Sequence, residues 1–459
     1  MRAPPIDRLG PDDMTILAAE ASGARMQFAA IAVLDAAPDP DAMRVLVTSR
    51  LDAVPRLRQR LVRVPHGRPV WIADSAFDPS QHLESIACPP PGDRRAMLAV
   101  AARIVEQRLS LARPPWRIVH VGGLNPASAG GRSALVIVLH HVLADGLAGL
   151  AILSRLVDGA ESAARPAVPA DPWSGGRGSA GRRWTGPAAR LRAGAAELLR
   201  DGTRGAPPCS INAGPIGPHR ALGVARADLG PLAAAAKAAG GTVNDVALTA
   251  VTGALHDLLA ERGEPLDRLV VSMPVAARRR PAEAGDLGNR TGVLPVSLPL
   301  NGAPRQRLSA VADITRVRKT DIPGASAALY GPFARALAAL GAFGWFIGHQ
   351  RLVNTFVTNV RGPSEPLVFG RNRITELVPV SPISGNVGVG FAVLSYAGRL
   401  SITVVADADR CLDVDRLAAL VRAQLDELAA PPARMAGTAR SPGTNSQSGP
   451  ARPGGTRRP

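Results

Sequence analysis

Apolar and polar positions along this chain change period repeatedly, and each change marks an element. QFAAIAVLDAA at 27–37 is a compact apolar run that predicts a strand, and 41–62 reads as helix with Pro55 breaking it in two. Residues 70–73 are short and extended, 93–109 is helical with Met97, Val100, Ile104 and Leu109 at apolar positions, and 116–121 is extended again. SALVIVLHHV at 133–142 is a fully apolar run of strand length that ends in two histidines, and a helix follows at 147–157. This alternation predicts an open, layered α/β domain over 1–158.

Between 159 and 220 the texture changes to Arg, Gly, Pro and Ala, with helical potential only near 188–199, which describes a long crossover. A second α/β half then runs over 221–430. Helix is expected at 231–239, a loop GGTVND follows, and helix resumes to 261. Strands are expected at 268–275 and 293–298, helix at 307–319, and strand again at LVNTFVTNV. GFAVLSY-AG-RLSITVVAD has the two-residue turn and β-branched flanks of a hairpin. The last helix, 413–429, puts Leu417, Leu420, Val421 and Leu428 on one face. Residues 431–459 are mostly Pro, Gly, Ser, Thr and Arg without an acid, the composition of a disordered basic tail.

Composition sharpens this picture in three ways. Only 3% of the 459 residues are aromatic against 46% apolar overall, so the core is aliphatic. Fifty-four basic and 37 acidic residues leave +17, and every basic residue except Lys237 and Lys319 is Arg. Such a charge fits nucleic acid, an anionic membrane or a polyanionic small molecule. Its location decides among them: 174–206 carries +5 and 431–459 another +5, so ten of the seventeen charges lie in the crossover and the tail. With few aromatics to stack on bases and no helix-turn-helix or zinc pattern, no nucleic-acid partner is expected. Three widely separated cysteines build neither a disulfide framework nor a metal site, and a reducing cytoplasm is expected. The start MRAPPIDRLGPDD does not read as a secretory signal, and ALAALGAFGWFIG at 336–348 is too short to span a bilayer.

The strongest chemical signal is HHVLADG, His140 to Gly146. It sets an imidazole at the end of a buried strand with an Asp-Gly turn behind it. Strand alternation turns His140 and His141 to opposite faces, so only one can look into a shared cleft. On these residues alone two readings stay open: a general base, or two structural histidines with Asp145 capping the next helix.

The H-H-x-x-x-D-G pattern resembles the superfamily of chloramphenicol acetyltransferase, carnitine acyltransferases and peptide-synthetase condensation domains. In detail the chain resembles the bacterial wax ester synthase/acyl-CoA:diacylglycerol acyltransferase family. The matching pieces run collinearly: GPDDMTIL, RLRQRL, RPPW, HHVLADG, INAGPIGPHR, TVNDVAL, MPVAAR, DLGNR, TNVRGP and LSYAGRL followed by Asp407. The resemblance implies two chloramphenicol acetyltransferase-like layered halves joined by the crossover, with an active-site channel between them. It implies His141 as general base, His140 in support, Asp145 orienting the loop through a distant Arg (Arg278 or Arg290), and Gly146 keeping the turn and channel clear. Asn244 and Asp245 match its Asn-Asp motif. Asn244 suits an oxyanion or acyl-carbonyl contact, whereas Asp245 also reads as a capping-box partner of Thr242. Asn289 and Arg290 are further candidates for the channel.

The implied reaction takes acyl-CoA as donor and diacylglycerol or a fatty alcohol as acceptor, with no bound cofactor and no metal, in a cytoplasmic protein resting on a membrane or lipid-droplet surface. The segment 336–346 and the Arg-bearing crossover are the candidates for that contact. Two departures from the family pattern stand near the site: Pro115 in RPPW, and Ser110 where the family usually has Asp. Competing readings are a relative using a carrier-protein thioester or a polyketide-like secondary alcohol, and a non-catalytic basic membrane-binding protein.

Overall fold

The computed structural model describes residues 7–65, 67–158, 205–276, 291–320, 336–410 and 413–431. Its helices are α1 (Pro11–Ala21), α2 (Pro40–Arg50), α3 (Arg94–Glu106), α4 (Pro126–Ala129), α5 (Gly146–Leu156), α6 (Leu229–Ala238), α7 (Val243–Glu261), α8 (Pro304–Thr320), α9 (Phe343–Gly348) and α10 (Val414–Ala429). The strands of the first half are β1 (Gln27–Leu34), β2 (Gln59–Val62), β3 (Val70–Ala73), β4 (Leu83–Ala87), β5 (Trp116–Gly122) and β6 (Ser133–His140). Later in the chain come β7 (Arg220–Asp228), β8 (Arg268–Ala276), β9 (Thr291–Pro299), β10 (Thr355–Arg361), β11 (Val368–Phe369), β12 (Asn372–Val380), β13 (Val389–Tyr396) and β14 (Arg399–Asp407). Both large sheets lie within the compact unit Met1–Ala429; Ala430–Pro459 separates as a second unit, of which only 430 and 431 are described.

Each half is a six-stranded sheet. The first has the order β11-β12-β1-β6-β5-β4 and the second β7-β14-β13-β10-β8-β9. Strand β6 is buried at all eight positions because β1 and β5 flank it and both of its faces are covered. Ala134, Val136 and Val138 pack with Met97, Val100 and Ile104 of α3, while Leu135, Ile137 and Leu139 pack with Ala148 and Ile152 of α5. That two-sided cover explains a strand without a polar position between Ser133 and His140. In the second half, α7 is buried along most of its length between its sheet and α8 and α10.

The hairpin β13–β14 turns through Ala397 (φ 46°) and Gly398 (φ 77°), both left-handed, as a two-residue type I′ connection requires. Two expectations are corrected. Residues after Pro55 are not helix: 55–58 form a single 3₁₀ turn, and 59–62 are β2, paired with β3. Strand β6 ends at His140, so His141 and Val142 lie just past it. The segment 188–199 and the tail from 432 lie outside the described residues.

The later part of the chain also lends strands to the first sheet. β12, from the later part of the chain, pairs antiparallel with β1 from Ala29↔Val380 to Leu34↔Ile374, after which the chain returns to β13 in the second sheet. Tyr396 Oη donates to Ile374 O (2.9 Å) and accepts from Leu367 N (2.7 Å), fastening the lent segment to the hairpin. Around Glu376 of β12 sit Arg94 of α3 (Nη1 to Oε2, 2.9 Å) and Arg226 of β7 (Nη1 to Oε2, 3.1 Å), so one carboxylate ties both halves together.

Candidate active site

His140 and His141 are held differently. The backbone N–H of His140 donates to Pro115 O (3.0 Å) and that of His141 to Met26 O (2.8 Å), so β5 and the segment entering β1 fix both residues. The ring of His140 is fully buried. Its Nδ1 accepts from Val142 N (3.1 Å), which leaves the proton of a neutral ring on Nε2. Nε2 is 3.1 Å from Glu20 Oε2 of α1, close enough for an electrostatic contact but not aligned as a hydrogen bond. His141 is half-buried, and its ring meets Phe28 edge-on, with centroids 5.4 Å apart at 63°. Phe28 pairs with Leu139, so His141 shares their face of the sheet while His140 takes the other.

The turn after the histidines is set by Asp145. It is the N-cap of α5, with Oδ1 accepting from Ala148 N (2.9 Å) and its carbonyl from Gly149 N (2.7 Å). Gly146 opens the helix, and a Cβ there would stand 3.1 Å from Val360 Cγ2 of β10. The histidine loop of the first half therefore abuts the end of a second-half strand, and glycine keeps that seam close. Gly149 has the same role one turn on: a Cβ would come within 2.8 Å of the Phe28 ring that faces His141.

One residue before Val360, Asn359 Nδ2 donates to Asn244 Oδ1 at 3.1 Å. Alternation along β10 sends Asn359 to the α7 side and Val360 to the first half, so the two motifs approach one strand end from its two faces. Asn244 Nδ2 is buried and has no acceptor among the described residues. It is a donor in the second position of α7, where the helix N-terminus also favours negative charge. Asp245 is occupied: Oδ2 accepts from Thr242 N (2.7 Å) and Thr242 Oγ1 (2.8 Å), and Oδ1 from Thr315 Oγ1 (2.7 Å). It anchors the helix start, the capping role open to it from its sequence spacing.

Asn289, Arg290 and Arg278 lie in 277–290, outside the described residues. Pro115 precedes the paired residues of β5, so its missing N–H costs the ladder nothing while its carbonyl holds His140. Ser110 accepts from Ala112 N (3.3 Å) in an exposed turn. Asn359 and Glu20 were not singled out from the sequence. Asn is depleted within strands, so Asn359 inside TNVRGP carried a usable signal; Glu20 carried none. Among the described residues no group of three or more His, Cys, Asp or Glu could hold a metal ion.

Residues 9–247 match the model of the wax ester synthase/diacylglycerol acyltransferase catalytic domain, and 287–429 that of the WS/DGAT C-terminal domain. A Mycobacterium tuberculosis protein named as a probable diacylglycerol O-acyltransferase is 31% identical over 422 residues, covering 86% of this chain and 89% of that protein. Among solved structures, the wax ester synthase/diacylglycerol acyltransferase from Marinobacter aquaeolei superposes with TM-score 0.63 at 23% identity, covering 92% of this chain and 98% of that one. A starter condensation domain of rhizomide synthetase, solved with C8-CoA, superposes with TM-score 0.59 at 16% identity, covering 93% and 95%. The architecture of two layered α/β halves is thus the one these proteins share.

Proposed function

The chain belongs to the wax ester synthase/diacylglycerol acyltransferase family, and on that footing we propose that it is an O-acyltransferase moving a long-chain acyl group from acyl-CoA to diacylglycerol, with fatty alcohols as further acceptors. The observation that carries this reading is the seam itself: a half-buried His141 on a loop that Asp145 caps, against the end of β10 from the other half.

In the proposed step His141 takes the proton of the acceptor hydroxyl as its oxygen attacks the thioester carbonyl. The tetrahedral oxyanion collapses, the C–S bond breaks, and the CoA thiolate recovers the proton from the imidazolium. One ester forms for one thioester lost, with no acyl-enzyme. A positioned imidazole contributes about 10²- to 10⁴-fold through proton transfer, and alignment of the two substrates adds to that. Asn244 Nδ2, buried without an acceptor among the described residues, is suited to the acyl oxygen as charge develops there. His140 supports the loop through Val142 N, and Asp145 and Gly146 keep it in place. The acceptor is a lipid, so the protein works at a membrane or droplet surface; among the described residues no helix is long and apolar enough to cross a membrane.

The test is thiol release from palmitoyl-CoA measured with diolein, with hexadecanol and without acceptor. Release above the acceptor-free rate with diolein supports the reading. Activity confined to a carrier-protein thioester would overturn it.

A further inference from the structure

A cleft of about 280 Å³ lies between the α1–β1 turn, the segment leading into β7 and helix α9, and three arginines line it: Arg25, Arg108 and Arg220. Arg220 is tied down. Its Nη1 donates to Gly217 O (2.7 Å) and His219 O (2.8 Å), and its N–H to Glu106 Oε1 (2.6 Å). Burial lowers its pKa from the usual arginine value; Asp407 opposes that shift, and the neighbouring Arg25 charge adds to it. The nearby acids Asp407, Glu106 and Asp409 all attract the Arg220 charge; Asp407 also accepts from Gly217 N and Asp409 N, and Asp409 faces His219. Arg25 and Arg108 pair with no carboxylate among the described residues; Arg108 donates to Gly23 O at 3.4 Å. Two cations without a carboxylate partner among the described residues therefore flank a concave opening.

Helix α9, whose Gly344, Ile347 and Gly348 line the cleft, also presents apolar surface to solvent. Leu340, just before α9, is 79% exposed and Trp345 of α9 is 70% exposed. They are not loose: Phe343 is buried with Ala19, Ala24 and Met26, and Gly344 lets α9 sit so close to α1 that a Cβ would come 2.9 Å from Ser22. The Trp345 ring stacks on His349 at 5.3 Å. An exposed Trp and Leu carried by the helix that lines the cleft, together with two arginines that have no carboxylate partner among the described residues, match a bilayer's interface, where aromatic rings sit at headgroup level and arginines meet phosphate.

We propose that this cleft and the exposed Leu340 and Trp345 dock the protein on a lipid surface, with Arg25 and Arg108 taking the phosphate of anionic headgroups. The phosphates of CoA are the less suitable occupant. Arg25 lies two residues before Gln27, whose side chain binds Gln107 O on the α3 side, while His141 shares the opposite face with Phe28. The inference rests on the lipid-acceptor reading but is tested apart from it.

The experiment is flotation of the full chain with vesicles of phosphatidylcholine alone and of equimolar phosphatidylcholine and phosphatidylglycerol. The wild type binds the anionic vesicles more tightly. Arg25→Gln with Arg108→Gln weakens that binding by about thirtyfold, from about fivefold per arginine near an anionic surface. The single exposed change Arg108→Glu weakens it in the same direction. Trp345→Ala lowers affinity for both compositions by roughly tenfold. Vesicle-free thiol release with a short-chain alcohol stays at the wild-type rate in each variant, so loss of fold is separated from loss of docking. Equal flotation with both vesicle types overturns the proposal. So does an arginine variant that keeps vesicle affinity while its KM for acyl-CoA rises, which assigns the cleft to CoA. Flotation decides the matter whatever the acceptor panel shows.

Discussion

Replacing Asn244 and Asn359 together by Leu sets activity against stability. In the wild type the 3.1 Å bond from Asn359 Nδ2 engages Asn244 Oδ1 and leaves Asn244 Nδ2 buried with no acceptor among the described residues. A buried orphan donor costs about 1–3 kcal/mol, and the one hydrogen bond that both replacements remove is worth only about 0.5–1.5 kcal/mol net. The double variant is therefore as stable as the wild type or more so, by up to about 2 kcal/mol. Asn359→Leu alone deprives Asn244 of its one side-chain partner without removing the orphan, and is the least stable of the three proteins. If Asn244 Nδ2 serves the acyl oxygen, kcat falls about 10²- to 10³-fold in the double variant, as when an oxyanion donor is removed elsewhere. Urea midpoints and thiol release at saturating palmitoyl-CoA read the two effects separately. A double variant that keeps wild-type kcat refutes the role given to Asn244. One destabilised by more than about 1 kcal/mol refutes the reading of its amide as an unmet donor.

Two further predictions concern what holds the site together. Glu376→Ala leaves Arg94 and Arg226 facing each other without their shared carboxylate. The loss is about 2–4 kcal/mol, below the range for fully buried pairs because Arg226 is about a third exposed, and it exceeds that of Arg226→Ala in denaturant titration; equal effects would mean that Glu376 does not join the halves. The pH dependence of stability follows from His82 and His120, both pushed by burial below the ordinary imidazole value of 6.5. Their neutral rings favour the folded state fully above 6.5, and stability is lost as pH falls below 6.5 toward the folded values. His120→Leu flattens that loss, and an unchanged pH curve would contradict the assignment.

The local devices were readable in the sequence because each is carried by neighbouring residues. The apolar run before His140, the Ala397-Gly398 turn, the α10 face and the Thr242–Asp245 cap all depend on contacts within a few positions. The collinear motifs pointed to the family, and the comparisons bear that out together with its fold of two layered halves. What the sequence did not disclose is long-range. Nothing within NRITELVPV specifies that it will pair with β1 of the other half; that follows from Tyr396 and the Arg94–Glu376–Arg226 cluster, whose members are up to 282 positions apart. Residues after Pro55 carried enough helix formers to read as helix, yet pairing with β3 prevailed over propensity. Asn359 stands out locally as an Asn within a strand, but its partner, 115 positions away, has no local signature. The Arg25–Arg108 cleft depends on three segments meeting and has no local signature.

The central claim is that His141 moves the proton in acyl transfer. His141→Ala, with unchanged circular dichroism and thermal midpoint, should lower acceptor-dependent thiol release from palmitoyl-CoA with diolein by about 10²- to 10⁴-fold, while His140→Ala loses stability as well as rate. Wild-type release by a folded His141→Ala protein would contradict the account.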